Sequence, residues 1–153
     1  MVGDWSNDSN DDLEFVKFIT DEIILVTSPE KASNFGTNAT ISDVNSEGLI
    51  IREKGSATRS IAEDCFLQLG IEPKINMTVG SNQAVKQATA SGGGIGVISK
   101  LGVTAEVKAG LLAILNIREW SCQRPLFLVS HKNRPLSPSQ KSFVDFLQTH
   151  HNM

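Results

Sequence analysis

The chain has 153 residues, 40% of them hydrophobic and 20% charged, and a formal net charge of −3 at pH 7. These values describe an ordinary globular domain with a buried core, and the negative charge argues against a nucleic-acid-binding surface, which needs a basic face. With no apolar run near the ~20 residues of a membrane span and no leader-like start, the sequence predicts a cytoplasmic protein without a membrane segment.

The first predicted elements are a buried strand, a polar loop and a second strand. Residues 23–26 (Ile-Ile-Leu-Val) form a continuous apolar run, which is typical of a strand buried on both faces of a parallel sheet. A polar loop follows to about residue 40. Residues 41–44 predict a short helical turn, and residues 49–51 (Leu-Ile-Ile) predict the second strand.

A helix is predicted between Gly55 and Gly70. One apolar stripe at helical spacing is formed by Ile61, Cys65, Phe66 and Leu69. Gly70 is suited to end the helix, and Pro73 prevents its continuation.

Strands and helices then alternate along the chain. Strands are predicted at residues 75–79, 95–98 and 111–117, and helices at residues 82–91 and 101–108. Alternation at this spacing predicts an α/β domain with a parallel or mostly parallel sheet.

The last predicted elements are a strand at residues 126–129 and a helix that begins after Ser137. Pro138 fits the first helical position, and Gln140 completes a capping box with Ser137. The apolar stripe of this helix, expected to be buried, consists of Phe143, Phe146 and Leu147.

The turn after the second strand is a candidate anion pocket. Gly55 allows the chain to turn from strand to helix, and Ser56 lies where an N-cap residue is wanted. Thr58 and Arg59 fall in the first helical turn, where free backbone N–H groups and the helix dipole favour a carboxylate or another oxyanion. The same residues also fit a well-capped helix with no ligand.

Motifs of enzyme chemistry are weak. Ser28 and Lys31 fit an S-x-x-K pattern, but its partner motifs are missing and Pro29 restricts the helix. The glycine run at residues 92–96 follows a helix and precedes a strand, the reverse of a dinucleotide-binding turn. The histidines, His131, His150 and His151, form no triad or metal site with Cys65 or Cys122, and both cysteines are expected to be reduced and structural. We therefore expect no catalysis, no metal and no cofactor.

Several segments together resemble the effector-binding region of LysR-type transcriptional regulators. They are residues 51–59 (IREKGSATR), 70–73 (GIEP), 79–86 (VGSNQAVK), 92–99 (GGGIGVIS), 124–129 (RPLFLV) and 134–137 (RPLS). Each motif is loose by itself, but their order and spacing are fairly specific. The resemblance extends from about residue 13 to residue 147.

The resemblance implies a fold like that of the type 2 periplasmic binding proteins, with two α/β lobes and a ligand cleft between them. Residues 1–22 would be a remnant of lobe one, residues 23–125 the effector-binding second lobe, and residues 126–153 the return strand and C-terminal helix of lobe one. The fold class is therefore a Rossmann-like lobe with a mostly parallel sheet plus part of an incomplete first lobe.

The resemblance also implies a set of ligand-binding residues near helix N-termini that face the cleft. They are Thr27, Ser28, Gly55, Ser56, Thr58, Arg59, Ser81 and Gln83. The ligand would be a small effector, sensed without catalysis in order to regulate transcription. Helix N-termini and Arg59 favour an anion, although hydroxyl-rich sites also accept neutral polar molecules.

The resemblance covers only part of a regulator of this kind. Residues 1–3 look like the end of a lobe-one strand, so the chain is expected to be N-terminally truncated. DNA would then be bound only through a helix-turn-helix domain absent from this chain. A homo-oligomer is possible, since the C-terminal helix would have too little core to cover its apolar residues. The alternatives are a stand-alone solute-binding or sensor domain of similar fold and, more remotely, an α/β enzyme.

Overall fold

The computed structural model describes residues 12–36 and 38–150. These residues divide into a larger compact unit, Glu22–Gln123, and a smaller one made of the chain up to Asp21 and from Arg124 onward. Residues 1–3, which resembled a strand end, lie outside the described residues.

The strands form one sheet in the order β3-β2-β4-β1-β5, and β6 pairs with β1. They are β1 (Leu13–Thr27), β2 (Leu49–Arg52), β3 (Ile75–Val79), β4 (Ile95–Ser99), β5 (Ala113–Ile114) and β6 (Gln123–His131). Strand β2 is parallel to both β3 and β4, whereas β1 is antiparallel to β4 and β5. The fold is the predicted α/β class, with parallel strands β3-β2-β4 beside antiparallel ones.

Strand β1 was expected to lie in a parallel sheet, but it is antiparallel to its neighbours β4 and β5. Ile23 is paired with Ser99 and Val26 with Gly96, so β1 runs against β4. An apolar run reports burial on both faces, and Ile23, Leu25 and Val26 are indeed 0% exposed. It carries no information about strand direction, and therefore the sequence could not distinguish the two arrangements.

The helices are α1 (Pro29–Ala32), α2 (Ile41–Glu47), α3 (Ala57–Gln68), α4 (Asn82–Ala90), α5 (Thr104–Lys108) and α6 (Pro138–His150). The helix expected at residues 101–108 is instead a 3₁₀ turn, Lys100–Gly102, followed by α5. The strand expected at residues 111–117 pairs only at Ala113–Ile114. Its neighbours Leu112, Leu115 and Ile117 are buried all the same, because an apolar run packs on the core whether or not its backbone joins the sheet.

The core of the larger unit lies on both faces of the sheet. On one face, Leu25 and Ile51 pack in a cluster with Phe66 of α3. On the other face, Val26 and Ile50 pack with residues of α4 and α5. The alternation of strand side chains thus fixes α3 and α4 on opposite faces.

The smaller unit contains the first half of β1, most of β6 and α6. Ser137 and Gln140 form the predicted capping box, with Ser137 Oγ accepting from Gln140 N (3.3 Å) and Gln140 Oε1 accepting from Ser137 N (2.9 Å). The expected burial of the α6 stripe is wrong for Phe143 and Phe146, which are 60% and 55% exposed. The sequence had also indicated too little core to cover this helix, and the exposure agrees with that. Across the described residues, no helix is both long and apolar enough to cross a membrane.

Candidate functional site

The carboxyl ends of β2 and β3 bring two helix N-termini to the same edge of the sheet. The strands are parallel and end level, with Arg52 paired to Val79. Helix α3 begins after Ser56, and α4 begins after Ser81. In open α/β sheets this edge is where ligands bind. The structure therefore gathers Gly55, Ser56 and Ser81 at the carboxyl edge, as the resemblance implied.

The N-terminus of α3 is open. Gly55 has φ +91°, a left-handed conformation that suits glycine, and nothing lies within 4 Å of where its Cβ would be. Ser56 occupies the N-cap position, but its side chain makes no capping hydrogen bond. Thr58 is 7% exposed, within the first turn. The first N–H groups of α3 therefore have no bond to the Ser56 hydroxyl and can meet an anion.

The N-terminus of α4 is closed by its own cap. Ser81 Oγ accepts a hydrogen bond from Ala84 N at 3.1 Å. Gln83 is exposed on the first turn. Ser81 thus fixes the start of α4, and Gln83 is accessible to a ligand at this edge.

Arg59 has partners inside its own helix and loop. Its Nε donates to Glu63 Oε1 at 2.8 Å, and its Nη1 donates to the Arg52 carbonyl at 3.1 Å. The side chain is 9% exposed. The guanidinium predicted to face an anion therefore fixes the β2–α3 loop in this structure.

Arg52 is a site residue that we did not single out from the sequence. Its Nε and Nη2 donate to the two carboxylate oxygens of Glu53 at 2.7 and 2.8 Å, and Nη1 donates to Asn82 Oδ1 at 2.8 Å. The Arg52 hydrogen bonds lower the pKa of Glu53 to about 2. A charged residue at the end of an apolar strand, inside a motif of the resemblance, was the signal that could have found it.

Thr27 and Ser28 lie at the opposite edge of the sheet. Because β1 is antiparallel to β4, its end at Thr27 follows the Val26–Gly96 pair, toward the beginning of β4. Ser28 Oγ accepts from Lys31 N at 3.3 Å and caps α1. Thr27 Oγ1 is buried and has no hydrogen-bond partner. The sequence analysis placed these two residues in one site with Ser56 and Ser81. The direction of β1 instead puts them at the opposite edge of the sheet.

Within residues 12–36 and 38–150, no group of three or more His, Cys, Asp or Glu side chains is placed to hold a metal ion. Cys65 and Cys122 are not in a disulfide bond. What the carboxyl edge offers is hydrogen-bond donors, namely helix N–H groups, hydroxyls and a guanidinium. Such a set binds a small polar or anionic molecule.

The fold and this edge define a small-molecule-binding domain of the periplasmic-binding-protein type. The family model of the LysR substrate binding domain matches residues 2–152. The chain belongs to this family.

Similar proteins are regulators of transcription. The chain is 43% identical over 98 residues to a RuBisCO operon transcriptional regulator of Acidithiobacillus ferrooxidans, covering 64% of this chain and 32% of that protein. It is 28% identical over 142 residues to the HTH-type transcriptional activator CmpR of Synechocystis, covering 93% and 47%. The chain thus spans about half, or less, of the length of these curated relatives.

Solved structures show the same fold. The CcmR regulatory domain of Synechocystis in complex with 2-PG superposes with a TM-score of 0.83 at 29% identity, covering 97% of this chain and 72% of that one. The effector binding domain of QuiR in complex with shikimate has a TM-score of 0.78 at 22% identity and covers 98% and 69%. The second similarity bears on the fold alone.

Proposed function

We propose that this chain is the effector-sensing domain of a LysR-type transcriptional regulator and binds a small anion at the carboxyl edge of β2 and β3. The observation that carries the proposal is the meeting of two helix starts at that edge, one of them with its capping hydroxyl unused. Helix N-termini supply N–H donors and a favourable dipole to an anion, and this donor set has no evident catalytic use.

The comparisons support an anionic effector. The relative at 29% identity and a TM-score of 0.83 holds 2-PG, the anion 2-phosphoglycolate. The superposition with this relative covers 97% of the chain. A phosphoryl or carboxylate group would accept hydrogen bonds from the first turn of α3 and from the hydroxyls of Ser56 and Thr58.

The regulatory output follows from differential binding. An effector that binds one arrangement of the protein better than another shifts the population toward that arrangement. DNA recognition belongs, in this proposal, to a helix-turn-helix domain of the kind named in the HTH-type relatives. Oligomerisation would carry the shift to paired DNA-binding domains.

Calorimetry on the 153-residue chain tests the binding step. Wild type should bind 2-phosphoglycolate, and the double variant Ser56→Ala, Thr58→Val should bind it about tenfold or more weakly, since each lost hydrogen bond costs about 1 kcal/mol. Ser42→Ala is the matched control, because Ser42 is an exposed serine in the first turn of α2. Melting curves of each variant separate lost binding from lost folding. Equal affinity of the double variant and wild type would remove this edge from the proposal.

A further inference from the structure

The Arg52 guanidinium already holds a carboxylate in the geometry used for acidic ligands. Nε and Nη2 donate to Glu53 Oε2 and Oε1 at 2.7 and 2.8 Å. Two parallel N–H bonds to two oxygens are the arrangement by which arginine recognises carboxylate and phosphate groups. The carboxylate in this fork belongs to the next residue in the chain.

Arg52 lies between the two loops that form the proposed site. Its third bond, from Nη1 to Asn82 Oδ1 at 2.8 Å, reaches the first residue of α4. Its carbonyl accepts from Arg59 Nη1 at 3.1 Å, which fixes the backbone at the end of β2. The guanidinium therefore keeps its position through Asn82 even when the Glu53 carboxylate leaves.

Glu53 can leave without unravelling the strand end. Its backbone N–H donates to Val79 O at 3.0 Å, independently of the side chain. Its side chain is 44% exposed, against 20% for Arg52. An ion pair so open to water contributes little, because both charges remain partly solvated. An incoming acid can thus take over the fork at small cost.

We infer that Arg52 recognises the acidic group of the effector and that Glu53 occupies its fork as an internal stand-in, which the effector displaces. The inference rests on the proposed function, since it concerns the same edge of the sheet. It assigns the ligand class as molecules with a carboxylate or phosphoryl group that presents two oxygens side by side. The stand-in lowers affinity for every such acid, because each ligand must compete with Glu53.

Calorimetric titration of the full 153-residue chain with 2-phosphoglycolate and with inorganic phosphate tests the exchange. Glu53→Gln should bind each anion about three- to tenfold more tightly than wild type, because the Glu53 carboxylate no longer competes for the Arg52 guanidinium and the exposed pair it formed was weak. Arg52→Lys keeps the charge but loses the fork, and should bind at least about tenfold more weakly. Glu72→Gln and Arg118→Lys are the matched controls, because they make the same two kinds of substitution at exposed residues outside this edge of the sheet.

A combined variant separates exchange from general charge repulsion. If Glu53 acts through the fork, Glu53→Gln should give no gain in the Arg52→Lys background. A gain that persists there, or a Glu53→Gln affinity equal to that of wild type, would overturn the inference while leaving the proposed function intact. Absence of anion binding in wild type and in every variant would overturn both. Melting curves confirm that each variant is folded.

Discussion

Asp21 and Arg124 form a buried ion pair where the chain passes between its two compact units. Arg124 Nη2 and Nε donate to Asp21 Oδ2 at 2.8 and 3.0 Å. The Asp21 side chain is 1% exposed and that of Arg124 is 14% exposed. The smaller unit consists of two chain segments; Asp21 ends the first segment and Arg124 begins the second. The ion pair therefore joins β1 to β6 within this unit.

Removing one member of this pair should destabilise the protein strongly. Arg124→Met leaves the Asp21 carboxylate buried without its guanidinium, and the free energy of unfolding should fall by about 3–5 kcal/mol. Urea denaturation measures the loss. Arg118→Met is the control, because Arg118 is an exposed arginine. The double variant Asp21→Val, Arg124→Met replaces both charged residues with apolar ones and should recover part of the lost stability. A single variant as stable as the control would contradict the prediction.

Two N-cap residues of the larger unit, Thr40 and Ser56, should respond differently to alanine. Thr40 Oγ1 accepts from Asp43 N at 3.2 Å in a capping box, whereas Ser56 makes no side-chain cap bond. Thr40→Ala should therefore cost about 1 kcal/mol of unfolding free energy and Ser56→Ala close to none. Thermal unfolding of both variants checks this. Equal losses would show that Ser56 does cap α3 in solution.

Gly96 has no room for a side chain. A Cβ there would lie 2.4 Å from Thr89 Oγ1 and 3.0 Å from Val26 Cγ2, both in the core. Gly96→Ala should destabilise the protein by about 1–3 kcal/mol, the usual cost of overpacking. Gly102→Ala is the matched control, since nothing lies within 4 Å of its Cβ position. Chemical denaturation of both variants should separate them clearly, and similar midpoints would refute the close packing.

Substitution of Thr89 should stabilise the protein, in contrast to substitution of Gly96. Its Oγ1 is buried and has no hydrogen-bond partner. Thr89→Val replaces the hydroxyl with a methyl of similar size, and should raise the free energy of unfolding by about 1 kcal/mol by removing the desolvation penalty. A loss of stability would indicate that the hydroxyl finds a partner in solution. The measurement is the midpoint of denaturant-induced unfolding, compared between variants whose unfolding free energy has the same dependence on denaturant concentration.

Glu53 should make stability depend on acid pH. Its pKa is lowered from 4.5 to about 2 by hydrogen bonds from Arg52. A lowered pKa means that the folded state prefers the ionised form, so the stabilisation is complete above pH 4.5 and is lost as the pH falls toward 2. Wild type should therefore be slightly more stable than Glu53→Gln at pH 6, since a pair this exposed to water contributes little, and the gap should close near pH 2. A gap independent of pH would contradict this, with Glu72→Gln as the control.

Local signals predicted the starts of α3, α4 and α6 well, whereas α1 lies in a segment expected to be a loop and α5 begins three residues later than expected. Ser137 caps α6 as expected, and Ser81 caps α4 in the same way, because a hydroxyl three residues before the N–H that it accepts from is a local arrangement. Ser56 was placed at the right position, yet its bond is not made. Position follows from the sequence near the cap, whereas the hydrogen bond depends on a side-chain rotamer that the loop geometry sets.

The contact between Arg52 and Asn82 could not be predicted from the sequence, whereas Arg59 and Glu63 have the i,i+4 spacing of a local helical ion pair. Both arginines lie in the motif of residues 51–59, and only Arg59 was expected to face a ligand. In the fold, Arg59 reaches Glu63 one helical turn away, while Arg52 reaches Asn82, 30 residues along the chain. Which cation faces the carboxyl edge depends on how β2 and α4 are placed together.

The sequence by itself determined the family, through the resemblance of its motifs, and the α/β class, because the alternation of strands and helices depends on hydrophobic periodicity, caps and turns within short segments. Only the tertiary structure decided that β1 runs against β4, and with it that Thr27 lies at the edge opposite to Ser56. It also decided which charges pair, as in Arg52 with Asn82 and Asp21 with Arg124. Strand direction and long-range pairing arise from contacts between distant segments, about which a local pattern carries no information.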